Sequence, residues 1–337
     1  MPVNCGGLNT AKAGTVPASF AWLRGRAALA AALALMAAAL LSAAASPFPA
    51  FGQPAEAMPE PALEGGRHEA LMWRATSPEG RELYLLGSLH MARTSFYPLK
   101  DVLYKAFDRA GTLVLELDPG SEDLGETLNI LTSKGFYQDG ETLAEHLDPE
   151  VSAMMGPFLE FLPGGADATM KPWLAAVTLS VALLEKNGYL IKEGVDRHFL
   201  AMARERGMEF VELESPSEQL GIFADMPESE SLLFLKASLL ELKDLERFMD
   251  EMVDSWKNGD AGRFEEAFFA TYRQWPELAP LLDKVIFNRN RTMFERLQPL
   301  LESSSKPVFA VIGSGHLVGP RGIPSLFAAA GWKLEQF

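Results

Sequence analysis

Gly87-Ser88-Leu89-His90 and Gly313-Ser314-Gly315-His316 are the two stretches that decide how this chain of 337 residues is organised. Both have the pattern Gly-Ser-x-His. Each directly follows an apolar, strand-like run, residues 83–86 in the first case and residues 308–312 in the second. In open α/β sheets, ligands bind at the carboxyl ends of the strands. The repeated pattern therefore predicts that two imidazoles converge on one site at the edge of a sheet.

The sequence around both motifs predicts the same local structure. Residues 71–86 are typical of a β-hairpin, residues 99–109 have the apolar spacing of a helix, and residues 112–117 are typical of a strand. After the second motif, residues 323–330 predict a helix and residues 332–337 a last strand. The predicted fold class is therefore α/β (α+β), with a mixed central sheet built from two strand–Gly-Ser-x-His–helix–strand units.

The middle of the chain is predicted to be helical. The helical segments are residues 148–161, 172–186, 195–206, 229–254 and 261–272. A single predicted strand, residues 208–213, interrupts them. The pattern indicates a large helical insertion, at about residues 140–300, that caps a cleft in the sheet.

Composition and charge limit the class of protein. The chain is 48% hydrophobic and 22% charged, as ordinary globular proteins are. Its formal net charge of −15 argues against nucleic acid and anionic lipid surfaces as partners. The single cysteine, Cys5, precedes the first apolar run, so we expect neither disulfides nor thiolate chemistry in the folded part. The oligomeric state stays open.

The N-terminus has the pattern of an export signal. Arg24 and Arg26 precede residues 27–45, an uncharged run rich in Ala and Leu. We expect residues 1–46 to be a signal peptide of a periplasmic or secreted protein. The alternative is an uncut inner-membrane anchor, which would be the only contact with a membrane. Residues 47–68 are typical of a flexible linker, which leaves residues 69–337 as the folded domain.

Glu116 is the carboxylate that is expected to join the two histidines. It lies in an otherwise apolar strand, where a charge is costly unless it meets a cation or strong donors. His90, Glu116 and His316 together are candidate metal ligands, with Glu116 also a candidate general base. The alternatives are a solvated carboxylate at a strand end and histidines that only cap helices. We expect surface roles for His68 and His146, whereas His198, at the start of a predicted helix, is either a cap or solvated residue or a functional one.

Asp196, Glu214 and Asn290 are candidates for the periphery of the site, and Arg289 is a candidate catalytic residue. Asp196 either caps a helix or faces the cleft, and Glu214 follows the central predicted strand. Arg289 and Asn290 begin a predicted helix. Arg289 is a candidate catalytic residue that steadies an oxyanion or holds a carboxylate, and the alternative is a solvated helix start.

Several common catalytic signatures are absent from the sequence. It contains no His-Glu-x-x-His, no Gly-x-Ser-x-Gly, no phosphate loop and no dinucleotide fingerprint. Zincins of the usual type, serine hydrolases and nucleotide enzymes are therefore poor fits.

Over roughly residues 69–337 the chain resembles the TraB/GumN family, which includes the Tiki proteases. The motifs that carry the resemblance are residues 84–90, the strand that ends in Glu116, residues 194–196, residues 211–215 with Gln219, Arg289-Asn290 and residues 313–319. Where the family has Leu-Glu-Thr, this chain has Leu213-Glu214-Ser215.

The resemblance implies a metal-dependent hydrolase that cleaves peptides or proteins with Mn²⁺ or Co²⁺, with Zn²⁺ as a further option. It also implies a fold similar to those of erythromycin esterase and the haem-binding ChaN proteins. His90, Glu116 and His316 would be the metal and catalytic residues. We consider two alternatives, a non-catalytic binder of a peptide or haem and an accessory protein of envelope polysaccharide production.

Overall fold

A six-stranded mixed sheet forms the centre of the protein. The structure, a computed structural model, describes residues 68–118, 124–138 and 140–337. The strands are β1 Met72–Thr76, β2 Glu82–Ser88, β3 Thr112–Leu115, β4 Glu209–Glu212, β5 Val308–Gly313 and β6 Lys333–Gln336. Their order across the sheet is β4-β3-β5-β2-β1-β6. The predicted mixed α/β fold is confirmed, whereas the predicted signal peptide and all of the predicted linker except His68 lie outside the described residues.

Parallel pairing brings the two Gly-Ser-x-His motifs side by side. Strands β4, β3, β5 and β2 are parallel, while β1 runs antiparallel to both β2 and β6. Strand β5 is buried along its whole length, as expected of an apolar strand in the centre of a parallel sheet. In its register with β2, Gly87 pairs with Ile312 and Ser88 pairs with Gly313. The two motifs therefore leave the sheet together at its carboxyl edge.

Fourteen α-helices surround this sheet in the described part of the chain. They are α1 Asp101–Arg109, α2 Leu124–Lys134, α3 Leu143–His146, α4 Pro149–Met155, α5 Pro172–Lys186, α6 Val195–Glu205, α7 Pro216–Ala224, α8 Glu228–Lys243, α9 Leu245–Lys257, α10 Ala261–Phe268, α11 Ala270–Gln274, α12 Ala279–Leu282, α13 Asn288–Ser303 and α14 Ile323–Ala329. Helix α1 connects β2 to β3, and α14 connects β5 to β6, as the two predicted units require. No helix within these described ranges is long and apolar enough to cross a membrane.

Three of the predicted helices are shorter than the apolar spacing indicated. The predicted helix 229–254 is two helices, α8 and α9, because Asp244 leaves the helical conformation with φ −121° and ψ 31°. The predicted helix 261–272 divides at Phe269 into α10 and α11. In the predicted helix 148–161, the α-helix ends at Met155, and a 3-10 helix that contains Pro157 follows it. Proline cannot donate a backbone hydrogen bond, which disfavours continuation of the α-helix there.

The middle of the chain contributes both a strand and a cover to the sheet. Strand β4 pairs in parallel with β3 and forms one edge of the sheet. Helix α9 reaches the carboxyl edge, where the Trp256 indole Nε1 donates a hydrogen bond of 2.8 Å to the Gly87 carbonyl. Helix α10 ends in Phe268, and the ring of this residue packs closely on Gly315. A Cβ added to Gly315 would lie 2.1 Å from the ring. Both helices therefore lie against the two motifs.

Candidate functional site

His90, Glu116 and His316 converge at the carboxyl edge of the sheet. All three are buried, at 5%, 2% and 1% exposure. Gly313 lies between them, because a Cβ on this residue would be 2.9 Å from His90 Nε2, 3.0 Å from Glu116 Oε1 and 3.5 Å from His316 Cδ2. Only a glycine leaves the space in which these three side chains meet.

Glu116 directly follows β3, which ends two residues before the predicted end of the strand. Its Oε1 accepts a hydrogen bond of 2.5 Å from the Gly313 N–H and lies 3.8 Å from His90 Nε2. Its Oε2 lies 4.0 Å from His316 Nε2. The alternative of a solvated carboxylate is therefore wrong, because Glu116 is buried and accepts hydrogen bonds within the site.

Each imidazole is anchored through Nδ1. His90 Nδ1 lies 3.2 Å from Asp196 Oδ2, and His316 Nδ1 lies 2.5 Å from Asn290 Oδ1. Carboxylate and amide oxygens only accept hydrogen bonds here, so both Nδ1 atoms carry the proton. The Nε2 atoms consequently face the site, where His90 Nε2 lies 3.8 Å from Glu116 Oε1 and His316 Nε2 accepts a hydrogen bond from Arg289. Metal-binding histidines are held by outer partners in the same way.

Arg289 connects the two halves of the cluster. Its Nε and Nη2 donate to the two oxygens of Glu214 at 2.8 and 2.6 Å, and Nη2 also donates to Glu116 Oε2 at 2.6 Å. Its Nη1 donates to His316 Nε2 and to the Val285 carbonyl, both at 3.1 Å. Arg289 is only 5% exposed, so the alternative of a solvated helix start is wrong. All its N–H groups are directed at protein acceptors, so Arg289 holds carboxylates rather than presenting a donor to an oxyanion.

Burial and charge set the protonation states in the cluster. Burial alone would raise the pKa of the Glu116 carboxyl, but Arg289, His90 and the Gly313 N–H outweigh it and hold that pKa below its ordinary value. Burial would lower the pKa of His90, but the charge and hydrogen bond of Asp196 raise it above the ordinary value. Burial and Arg289 hold the pKa of His316 well below its ordinary value. Glu116 is therefore ionised and His316 neutral near pH 7.

Asp196 and Asn290 have more specific places than the sequence indicated. Asp196 is not the N-cap of α6, since Gly194 occupies that position. The Asp196 side chain instead contacts His90 and accepts a hydrogen bond of 3.4 Å from Ser88 Oγ. Asn290 also donates from Nδ2 to the Arg321 carbonyl at 2.8 Å. Both residues therefore fix the orientation of a histidine.

Gln219 belongs to the site, although it was not among the predicted site residues and was indicated only as part of the family motif. It is 1% exposed, and its Nε2 donates to Glu214 Oε2 at 2.9 Å and to Glu116 Oε2 at 3.5 Å. Gln219 lies on the inner face of α7. It is next to the buried Leu220 and one helical turn before the buried Phe223. An amide on an otherwise apolar helix face was a further indication of this role.

The other three histidines lie outside the cluster. His146 stacks on Tyr137 with ring centroids 3.9 Å apart and pairs with Glu228 at 2.7 Å. His198 lies 3.2 Å from the Tyr104 hydroxyl on α1. His68 is the first described residue. None of them is in the group around Gly313.

The donor atoms in this cluster that suit a metal are His90 Nε2, His316 Nε2 and the Glu116 carboxylate. His90 Nε2 has no hydrogen-bond partner within the described residues, although it is fully buried. Arg289 contacts both Glu116 Oε2 and His316 Nε2. In the part of the chain that the structure describes, no three His, Cys, Asp or Glu side chains already form a ligand group.

Comparison with known proteins places this site in a family. The sequence model of the TraB/PrgY/gumN family matches residues 71–336, which include both Gly-Ser-x-His motifs. The chain is 24% identical over 272 residues to "Uncharacterized protein YbaP" of Escherichia coli (strain K12), with 79% of this chain and 95% of that protein covered. The protein of the same description from Shigella flexneri gives the same identity and coverage. No solved structure matches the chain. The chain therefore belongs to the TraB/PrgY/gumN family.

Proposed function

We propose that this protein is a metal-dependent hydrolase that acts on peptide bonds, with Mn²⁺, Co²⁺ or Zn²⁺ held by His90, Glu116 and His316. The observation that carries the proposal is the buried His90 Nε2, which has no hydrogen-bond partner among the described residues and lies 3.8 Å from Glu116 Oε1. A buried acceptor without a partner is costly unless something binds to it. A cation between an imidazole and a carboxylate removes that cost.

The charges of the cluster also favour a bound cation. The buried carboxylates of Glu116 and Glu214 share the guanidinium of Arg289, and the buried carboxylate of Asp196 contacts His90. Arg197 adds a partly buried positive charge that interacts with Asp196. Nitrogen and oxygen donors suit Mn²⁺, Co²⁺ and Zn²⁺ better than soft ions. The resemblance to peptide-cleaving members of the family supports the substrate class.

A bound divalent ion supplies a Lewis acid and acidifies a water molecule. The protein contributes the remaining functions. Asp196 and Asn290 fix the two imidazoles with Nε2 toward the site. Glu116 has an oxygen near His90 and, as an ionised carboxylate, is suited to accept a proton from water. Arg289 is a positioning residue, because its guanidinium donates hydrogen bonds to the carboxylates of both Glu116 and Glu214.

A metal-independent hydrolase is the second candidate. The contacts of Arg289 with Glu116 Oε2 and His316 Nε2 favour it, because a guanidinium already satisfies two of the three ligand residues. In this case His90 is the general base, with its Nδ1–H held by Asp196 and its Nε2 free to accept a proton. Both candidates require His90.

The proposed place of action is the periplasm or the exterior, reached through residues 1–46. Mass spectrometry of the exported protein is expected to show a new N-terminus near residue 47. A protein that is found in the membrane fraction and still begins at residue 1 would favour the uncut membrane anchor instead.

Cleavage of a mixed peptide library tests the proposed function. Chelation is expected to abolish cleavage, and Mn²⁺, Co²⁺ or Zn²⁺ to restore it. His90→Ala and His316→Ala are expected to be inactive, while the matched control His146→Ala, which changes a histidine outside the site, keeps full activity. Cleavage that survives chelation but not His90→Ala identifies the metal-independent enzyme.

Full activity in both His90→Ala and His316→Ala contradicts both forms of the proposal. The two non-catalytic alternatives have their own outcomes. A Soret band on titration with haem would indicate a haem binder. Binding of saccharides that is independent of the two histidines would indicate a role in polysaccharide production.

A further inference from the structure

An apolar cavity opens beside His90 and His316, and about 50 Å³ of it is open to the centre of a water molecule. Apolar side chains from the helical cover form most of its wall. They include Met249 and Met252 of α9 and Phe264 and Phe268 of α10. The polar end of the cavity consists of the two histidines with residues 313–315 and Ser88. The cavity is therefore continuous with the site in which hydrolysis is proposed.

The wall of this cavity selects against charge. Of the described residues that line it, none is Asp, Glu, Lys or Arg. A charged side chain placed there would lose its hydration without a compensating ion pair. Protein interiors are close-packed and empty apolar space costs stability, which favours a cavity that a ligand fills. Methionine side chains are flexible and adapt to apolar groups of different shape.

Phe268 and Gly315 define the wall nearest the second motif. A Cβ on Gly315 would lie 2.1 Å from the Phe268 ring, so the ring rests directly on the backbone beside His316. This contact places an aromatic surface next to the proposed reacting atoms. A substrate group that enters the cavity would meet Phe268 on one side and the methionines of α9 on another.

We propose that the cavity binds an uncharged apolar side chain of the peptide substrate, such as leucine, methionine or phenylalanine, next to the bond that is cleaved. This assignment rests on the proposed function. It makes Met252 and Phe268 determinants of specificity rather than of chemistry. Because cavity and histidines are continuous, an apolar side chain that enters the cavity brings its own peptide bond to the site.

Methyl-labelled methionine allows a binding test without catalysis. In the full chain, single Met→Leu variants assign the ¹³C-methyl signals of Met91, Met249 and Met252, which line the cavity. N-acetyl-leucinamide is expected to shift these signals saturably, whereas the matching N-acetyl amide of aspartate leaves them unchanged. Equal shifts with both probes in the wild-type protein, or none with either, would overturn the assignment.

A filled cavity gives a second test. Met252→Phe adds volume to the wall and is expected to weaken binding of the leucine probe at least about 10-fold. The matched control is Met226→Phe, which makes the same change at a partly buried methionine that does not line the cavity. Equal binding of the leucine probe by both variants would contradict the proposal.

Peptides that differ at one residue separate this inference from the proposed function. Peptides with leucine, methionine or phenylalanine next to the cleaved bond are expected to have a kcat/KM at least about 10-fold above that of peptides with aspartate or lysine at the same position. Cleavage without this preference would overturn the cavity assignment and leave the hydrolase standing. Selective binding of the leucine probe with no cleavage of any peptide would overturn the hydrolase and support the cavity as a binding site.

Discussion

Replacing Arg289 by methionine leaves the carboxylates of Glu116 and Glu214 buried without their guanidinium partner. The wild-type contacts are hydrogen bonds of 2.6 to 2.8 Å from Arg289 to these two residues, and both carboxylates are less than 10% exposed. Breaking a buried ion pair by removing one partner costs roughly 3–5 kcal/mol. Because two carboxylates lose their partner at once, we expect Arg289→Met to lower the free energy of unfolding by about 5 kcal/mol. That is a large part of the roughly 5–15 kcal/mol that stabilises a typical domain.

Urea unfolding at pH 7, followed by circular dichroism, measures this loss. The matched control is Arg296→Met, which breaks a pair with Glu218 whose side chains are 40% and 46% exposed. Such exposed pairs contribute at most about 1 kcal/mol. Adding Glu116→Gln and Glu214→Gln to Arg289→Met is expected to recover at least about 1 kcal/mol, because no buried charge remains unpaired. Equal losses for Arg289→Met and Arg296→Met would refute the role of Arg289 as the buried partner of both carboxylates.

Three further predictions concern the partners of the site and one ion pair at the surface. Asp196→Asn removes the charge that holds His90 Nδ1–H. We therefore expect roughly a 10- to 100-fold loss of metal affinity or activity, while the circular dichroism spectrum stays unchanged. Kinetics equal to those of the wild type would contradict this role of Asp196. Gly313→Ala places a methyl group 2.9 Å from His90 Nε2, so we expect at least about a 10-fold loss of kcat/KM in a folded protein, and wild-type cleavage would argue against this geometry. A hydrogen bond from Arg296 lowers the pKa of Glu218 to about 2, so this pair stabilises the protein above the unfolded pKa of about 4.5 and loses its contribution as the pH falls toward 2. The stability deficit of Glu218→Gln, at most about 1 kcal/mol, is therefore expected to shrink between pH 7 and pH 3 in urea unfolding, and a deficit that grows with acid would contradict it.

The strands and helices next to the two motifs were predictable because their apolar residues follow a clear period. The prediction of β5 at residues 308–312 differs from the structure by one residue, and α14 ends one residue before its predicted end. The break at Asp244 was not predictable, because the apolar spacing of α8 continues into α9 across a single non-helical residue. Periodicity reports which face is buried and does not register one residue that leaves the helical conformation.

The site was predictable where each residue follows a strand, and less so where it lies on a helix. His90, Glu116 and His316 all lie within three residues of the end of a parallel strand, and such strands place their carboxyl ends along one edge. The partners Asp196 and Gln219 lie on helices whose docking no local pattern specifies. A helix residue reaches the site only through tertiary packing, so the sequence left Asp196 open between a helix cap and a cleft-facing residue, and it indicated Gln219 only through the family motif.

Equilibrium metal content tests the central claim most directly. After dialysis against Mn²⁺, Co²⁺ or Zn²⁺ and removal of free ion, elemental analysis of the wild-type protein is expected to give about one equivalent. His90→Ala and His316→Ala are expected to retain less than about a tenth of that amount, and the control His146→Ala the full amount. Full occupancy in both site variants, or a wild-type protein that cleaves peptides without any bound metal, would contradict the claim that these histidines hold a catalytic ion.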